Sequence, residues 1–295
     1  MDSSSLITAG ALAAVLGWGG FAPAASATLG SPQPYGDWMP APMLAQDLDR
    51  PRQSGDPFQR GLTLFQQGQL AAAREAWEQA LDQYERAGDR PQMVETQIAL
   101  GVVNDSLGNY RAAANYLIAA RDTARALGLT AAEARAINTL GLVRVHQGRY
   151  EEALALYEEA LAMQRQLGNR NDEAIGLNNL GQLYGELGDY ERATRFLEQA
   201  LALHQQLGNT GEIVTSLNNL GAVAGYQGRL EASLVYYEQA LALADQLDDR
   251  LTEARLLGNI GLTYVRRGQY PPALAAHERA LAIAQELGTH STEMR

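Results

Sequence analysis

Two residue types are missing from this sequence of 295 residues, which has neither cysteine nor lysine. Without cysteine the chain cannot form disulfides, thiolate metal sites or a cysteine nucleophile. All 23 basic residues are arginine, and the 34 Asp and Glu residues bring the net charge to −11 at pH 7. Proteins that bind nucleic acid neutralise its phosphates with a basic stripe. The composition therefore favours a partner other than nucleic acid.

Catalytic sequence patterns are also missing. No His-Glu-x-x-His, Walker-type or nucleophile-elbow pattern occurs, and the histidines are far apart in sequence. Metal ligands and catalytic groups work as clusters, so isolated histidines do not predict a site. We expect no enzymatic activity, no cofactor and no metal. The four histidines are His146, His204, His277 and His290.

What the sequence does contain is a repeat of 40 residues. A glycine recurs with this period, a second glycine follows each one after seven residues, and an alanine keeps the same period from Ala80 to Ala280. A fixed period of this length is typical of solenoids built from small helical units. The pattern predicts an all-α fold, an α-solenoid of about six helix-turn-helix repeats. The first glycines are Gly61, Gly101, Gly141, Gly181, Gly221 and Gly261.

The third copy shows how each unit divides into two helices. Apolar residues at helical spacing predict a first helix over residues 131–147 and a second over 151–167. Gly148 and Gly168 follow these helices and predict left-handed C-terminal caps. Gly141 lies where the two helices cross, and a small residue there lets the backbones approach closely.

These residues resemble the tetratricopeptide repeat family. In the third copy Leu140-Gly141, Gly148, Tyr150 and Tyr157 match the family signature, and the likeness extends over roughly four fifths of the chain. The 40-residue variety is similar to the repeats of LGN/Pins adaptors and kinesin light chains. It is also similar to arrays that precede CHAT peptidase domains in bacteria. The resemblance implies a right-handed solenoid whose first helices line a concave, peptide-binding surface.

Polar residues on the first helices are candidates for that surface. Asparagines stand just before the Leu-Gly or Ile-Gly pair of several copies, and their amides could bond the backbone of a bound peptide or helix. An alternative is that Asn179, Asn219 and Asn259 only bond a neighbouring helix. The predicted groove residues are Asn138, Asn178, Asn179, Gln182, Asn218, Asn219, Tyr226, Arg255 and Asn259, with Arg135, His146, Glu186, Thr215 and Arg266 as neighbours.

The first 27 residues predict export. Residues 6–21 are uncharged and apolar, and Ala-Ser-Ala at 25–27 is a pattern that signal peptidase accepts. We expect a signal peptide over 1–27, with cleavage after Ala27 and a mature form that does not contact the membrane. An uncleaved membrane anchor is the alternative.

The remaining boundaries follow from proline content and the repeat register. Seven of the ten prolines fall within the first 57 residues, which predicts an extended linker over 28–54. Residues 291–295 would begin a truncated seventh repeat or form a short tail. The array over 55–290 divides at about 55–90, 91–130, 131–170, 171–210, 211–250 and 251–290.

Two hypotheses for the function follow. In the first, the chain is a non-catalytic adaptor that binds a protein or peptide ligand in its groove. In the second, it is the sensor or substrate-recruiting part of a truncated multidomain protein with a CHAT-peptidase-like effector. An uncapped last repeat also predicts self-association.

Overall fold

The computed structural model describes residues 57–293, and all the regular structure in this range is α-helical. The predicted signal peptide and linker lie outside the described residues. The helices form six pairs, in agreement with an all-α solenoid of about six repeats. In chain order they are α1 (Pro57–Gln66), α2 (Leu70–Ala87), α3 (Arg90–Ser106), α4 (Tyr110–Leu127), α5 (Thr130–His146), α6 (Tyr150–Leu167), α7 (Arg170–Glu186), α8 (Tyr190–Leu207), α9 (Thr210–Tyr226), α10 (Leu230–Gln246), α11 (Arg250–Arg266) and α12 (Tyr270–Glu293).

The helix ends in the third repeat are those that the glycines predict. Gly148 and Gly168 have φ values of +71° and +67°, a conformation that glycine adopts without a Cβ penalty. The Gly148 N–H donates to the carbonyl oxygen of Val145 at 2.8 Å, which satisfies one of the carbonyls left open at the end of α5.

Close packing between the two helices of a repeat explains the first glycine of that repeat. A Cβ added to Gly141 would lie 2.7 Å from the ring of Tyr157, and one on Gly221 would lie 2.7 Å from the ring of Tyr237. Both distances are far below van der Waals contact. The glycine of the first helix therefore makes room for a large residue of the second helix, as predicted for Gly141.

The described chain forms two compact units, residues 57–180 and 181–293, and the boundary falls within α7. The N-terminal unit has a fully buried Trp77, whose Nε1–H donates to the carbonyl oxygen of Phe58 at 3.1 Å. The C-terminal unit has a core that includes Leu217, Tyr237 and Leu256. Each unit thus has its own apolar core, as the repeat architecture requires.

The last helix is longer than the repeat predicts. Gly128, Gly168 and Gly208 end their helices in the left-handed conformation, but α12 continues through Gly288 to Glu293. The segment predicted to begin a seventh repeat is therefore, as far as Glu293, a continuation of α12. No helix within residues 57–293 is long and apolar enough to cross a membrane.

Candidate functional site

The predicted groove residues of the C-terminal unit lie on two consecutive first helices. Asn218, Asn219 and Tyr226 of α9 and Arg255 and Asn259 of α11 are all partly exposed. The Nδ2 of Asn259 donates to Oδ1 of Asn218 at 3.0 Å, so the two helices are joined by an amide pair. Together with Arg266 of α11, these five residues form what we term the α9–α11 face.

The predicted groove asparagines of the N-terminal unit are buried. Asn138, Asn178 and Asn179 are only 1%, 2% and 3% exposed. The Nδ2 of Asn179 donates to Oδ1 of Asn138 at 3.2 Å, again across two first helices. At Asn179 and Asn259 the second asparagine thus bonds a neighbouring helix, the arrangement that the alternative interpretation describes.

Gln182 lies on α7, within the C-terminal unit, and is half-buried. Its Nε2 is 3.5 Å from Oε1 of Glu186, one turn further along the same helix.

Basic and acidic residues on the first helices of the N-terminal unit pair with each other. An Nη2 of Arg135 lies 2.5 Å from Oε1 of Glu95, and Nδ1 of His146 lies 2.7 Å from Oδ1 of Asp105. Three of the four side chains are largely buried, and Glu95 is half-buried. Glu95 and Asp105 of α3 with Arg135 and His146 of α5 form the α3–α5 face.

Sequence reasoning missed both acids of the α3–α5 face, although the repeat contained a signal for them. Residues at the same place in different repeats, 40 residues or a multiple of 40 apart, are termed register mates below. Glu95 and Arg135 are register mates in consecutive repeats, and Asp105 is one residue short of the register mate of His146. An acid and a base at one register position of adjacent repeats predict an ion pair between neighbouring helices.

The α9–α11 face lacks the two acids of the α3–α5 face. Three repeats after the α3–α5 face, Thr215 and Gly225 stand where Glu95 and Asp105 stood, while both bases are kept as Arg255 and Arg266. An Nη2 of Arg255 donates to Oγ1 of Thr252 at 3.3 Å. Arg266 is exposed. Both faces therefore have basic residues at these register positions, but only the α3–α5 face has acids at the register positions of Glu95 and Asp105.

Tyr226 occupies the C-terminal end of α9 on the α9–α11 face. Its ring stacks on that of Tyr190 with centroids 6.0 Å apart and planes 8° apart, and Cζ of Arg266 lies 6.0 Å from its centroid. Burial raises the pKa of the Tyr226 hydroxyl, although nearby Arg266 acts in the opposite direction. Tyr226 is therefore a neutral aromatic platform with a polar tip at physiological pH.

Among the residues that the structure describes, no group of three or more His, Asp or Glu side chains could hold a metal ion. His204 and Ser216 are fully buried and inaccessible to a substrate. What the α9–α11 face offers is hydrogen bonding, an aromatic surface and positive charge, which suit recognition.

Comparisons with known proteins agree with the repeat pattern. A tetratricopeptide repeat model matches residues 57–126, 132–206 and 212–286. No curated protein matches the sequence.

Similar solved structures include BtubC (BKLC) from P. vanneervenii, which is 23% identical with a TM-score of 0.65 over 74% of this chain and 92% of that one. TPR-like repeats of a putative kinesin light chain from Podosopora anserina are 17% identical, with a TM-score of 0.55 over 66% and 96%. The Rap conjugation gene regulator of plasmid pLS20, solved with the Phr* peptide, is 16% identical, with a TM-score of 0.63 over 80% and 74%.

Proposed function

Because the chain belongs to the tetratricopeptide repeat family, we propose that it is a non-catalytic scaffold that binds a peptide or helix of another protein on its α9–α11 face. The observation that carries this proposal is the contrast in exposure between the two units. Asn138, Asn178 and Asn179 are buried, whereas Asn218 and Asn259 remain accessible at the surface of α9 and α11. Accessible polar groups on rigid helices are suited to a ligand.

The amide pair has hydrogen-bonding capacity to offer a peptide backbone. The bond between Asn259 and Asn218 uses Nδ2 of the first and Oδ1 of the second. This leaves Oδ1 of Asn259 as an acceptor for an N–H of the ligand. Nδ2 of Asn218 makes only a long contact of 3.5 Å, to Oδ1 of Asn219, so it can donate to a ligand carbonyl.

The known structures support a peptide as the ligand class. The Rap regulator, which shares this fold, was solved in complex with the Phr* peptide. The likeness concerns the fold alone, so the residues that bind the ligand in this chain are assigned from its own α9–α11 face.

A selection from displayed random peptides followed by titration tests the proposal. We expect Asn259→Ala to bind the selected peptides about two- to tenfold more weakly, because one net hydrogen bond is lost. Gln239→Ala, an exposed change on α10, is the matched control and should bind as the wild type does. Unchanged affinity for Asn259→Ala, with both variants folded by circular dichroism, would place the ligand elsewhere on the molecule.

We also propose that the free side of the last repeat mediates self-association. Val265, Tyr270 and Leu274 are exposed, whereas Val145 and Leu234, the register mates of the first and third, are buried. A second copy that covers this side would remove apolar surface from water. Light scattering over a dilution series should show a larger species for the wild type and a monomer for Leu274→Glu. A wild-type monomer at all concentrations contradicts this proposal.

Export after cleavage at Ala27 also stays a proposal, and N-terminal sequencing of the protein from its host tests it. A product that begins at Thr28 and lies outside the cytoplasm is expected, and an intact Met1 on a cytoplasmic product would contradict it. The alternative role as the sensor or recruiting part of a longer protein stays a prediction. Reading the coding DNA beyond Arg295 tests that role.

A further inference from the structure

Arg266 is the register mate of His146, a histidine that contacts a carboxylate within its own unit. In the N-terminal unit His146 contacts the Asp105 carboxylate, 2.7 Å away on the preceding first helix. Arg266 and Gly225 are their register mates three repeats later. The C-terminal unit thus has a basic residue at the position of His146 and lacks a carboxylate at the position of Asp105.

The guanidinium of Arg266 rests against α9 at the place where that carboxylate is absent. A Cβ added to Gly225 would lie 3.5 Å from Nη1 of Arg266, so a side chain at this position would touch the guanidinium. Among residues 58–288, no carboxylate lies within ion-pair distance of Arg266. The next residue differs, because Arg267 pairs with Glu231 at 3.0 Å.

The register position of Glu95 also lacks an acid in the C-terminal unit. Glu95 pairs with Arg135 in the N-terminal unit, and three repeats later Thr215 and Arg255 stand at these two positions. Arg255 and Arg266 lie 11 residues apart on one side of α11, a rise of about 16 Å. Neither register position of the two acids holds an acid in the C-terminal unit, while both basic positions are occupied by arginine, in a chain whose net charge is −11.

The nearest acid by register does not replace the missing carboxylate. Glu186 of α7 is the register mate of Tyr226 and Arg266, so Tyr226 lies between the two charges. Neighbouring helices pack about 8–10 Å apart, which puts Glu186 roughly two helix spacings from Arg266. Opposite charges at that separation are largely screened at physiological salt.

Resting on the proposed function, we propose that Arg266 recognises an acidic side chain of the bound peptide, with Tyr226 as the platform beside it. The guanidinium can bind a carboxylate through two parallel hydrogen bonds while its flat side faces the aromatic ring. The ligand supplies the charge that Asp105 supplies within the N-terminal unit. An acidic peptide segment is therefore the ligand class of the α9–α11 face.

Gly225→Asp is the direct test, because it restores in the C-terminal unit the carboxylate of its register mate Asp105. The probe is a library of random 12-residue peptides displayed on phage, selected separately on each variant. We expect pools from the wild type to be enriched in Asp and Glu and pools from Gly225→Asp to lose this enrichment. Gly225→Asn has nearly the same shape without the charge and should keep it.

Arg266→Gln provides a second route, because Gly225 is closely packed and a side chain there would lie 3.3 Å from Oγ of Ser233. An acidic peptide from the wild-type pool should bind Arg266→Gln about ten- to hundredfold more weakly, since a charge-assisted bond is lost. Arg229→Gln removes an exposed arginine outside the face and should leave the affinity within about twofold.

The outcomes separate this proposal from the function on which it rests. Wild-type pools without acidic enrichment, or unchanged binding by Arg266→Gln, would overturn the role of Arg266 while peptide binding stands. Failure to select any peptide on the wild type would overturn both. Acidic enrichment that disappears in Gly225→Asp and persists in Gly225→Asn supports the proposal.

Discussion

The α3–α5 face and the α9–α11 face lie on corresponding helices of different repeats, but only the first has acids that pair with its basic residues across the two helices. In the first, Arg135 and His146 contact Glu95 and Asp105 at 2.5 and 2.7 Å. In the second, Thr215 and Gly225 offer no carboxylate. Repeats that share a backbone can thus divide their work. The acid and base pairs of the α3–α5 face hold helices together, whereas Arg266, which has no carboxylate within ion-pair distance among residues 58–288, remains available for a ligand.

The largest expected effect comes from breaking the ion pair of the α3–α5 face. Glu95→Gln removes the carboxylate that faces Arg135, whose side chain is 7% exposed. Loss of one partner of a buried ion pair is strongly destabilising. Because the Glu95 side chain is a quarter exposed and partly screened, we expect the free energy of unfolding to fall by about 3 kcal/mol.

Urea denaturation measures this change, and two further variants sharpen it. Thr215→Ala, the register mate in the C-terminal unit, should change stability by less than about 0.5 kcal/mol. Glu95→Gln combined with Arg135→Met should recover much of the loss, since no buried charge is then left without its carboxylate. Equal losses at Glu95 and Thr215 would show that the two faces do not differ as described.

The repeat period predicts the helices well and the exposure of individual side chains poorly. Predicted helices over 131–147 and 151–167 lie within one residue of α5 and α6, because glycine caps and helical periodicity are local signals. Burial of Asn138 and Asn178 depends on how closely successive first helices pack, which no local pattern specifies. The pair of Glu95 and Arg135 could have been predicted from the sequence, because both residues share one register position.

We expect low pH to lower the stability of the chain through one buried residue of the C-terminal unit. His204 of α8 and its register mate Gln164 of α6 are both fully buried, but only the histidine can gain a proton. Burial lowers the pKa of His204 from 6.5 to about 4 in the folded chain. Between these pH values the unfolded chain binds the proton more readily, so stability falls as the pH drops from 6.5 to 4.

We expect this loss to amount to about 2 kcal/mol, less than the full pKa difference would give. His204→Gln introduces the residue of the register mate Gln164 and should make stability depend less on pH between 4 and 6.5. His204→Ala, which introduces the residue of the register mates Ala124 and Ala244, should do the same. Denaturation midpoints at several pH values measure the profile. A slope that persists in both variants would assign the acid sensitivity to other groups.

The smallest expected effect concerns one turn of the C-terminal unit that differs from its register mates. The second helices of the N-terminal unit end at Gly128 and Gly168 in the left-handed conformation, but α10 of the C-terminal unit reaches this conformation at Asp248, with φ of 55°. A side chain there is strained, although Asp tolerates it better than most residues. Asp248→Gly should raise the free energy of unfolding by about 0.5 kcal/mol, since relief of strain exceeds the added entropy of the unfolded chain. Asp248→Asn removes the negative charge from the end of α10 and retains the Cβ, so the difference between the two variants isolates the backbone contribution. Equal stability of the glycine and asparagine variants would mean that charge, and not backbone strain, distinguishes this junction from its register mates.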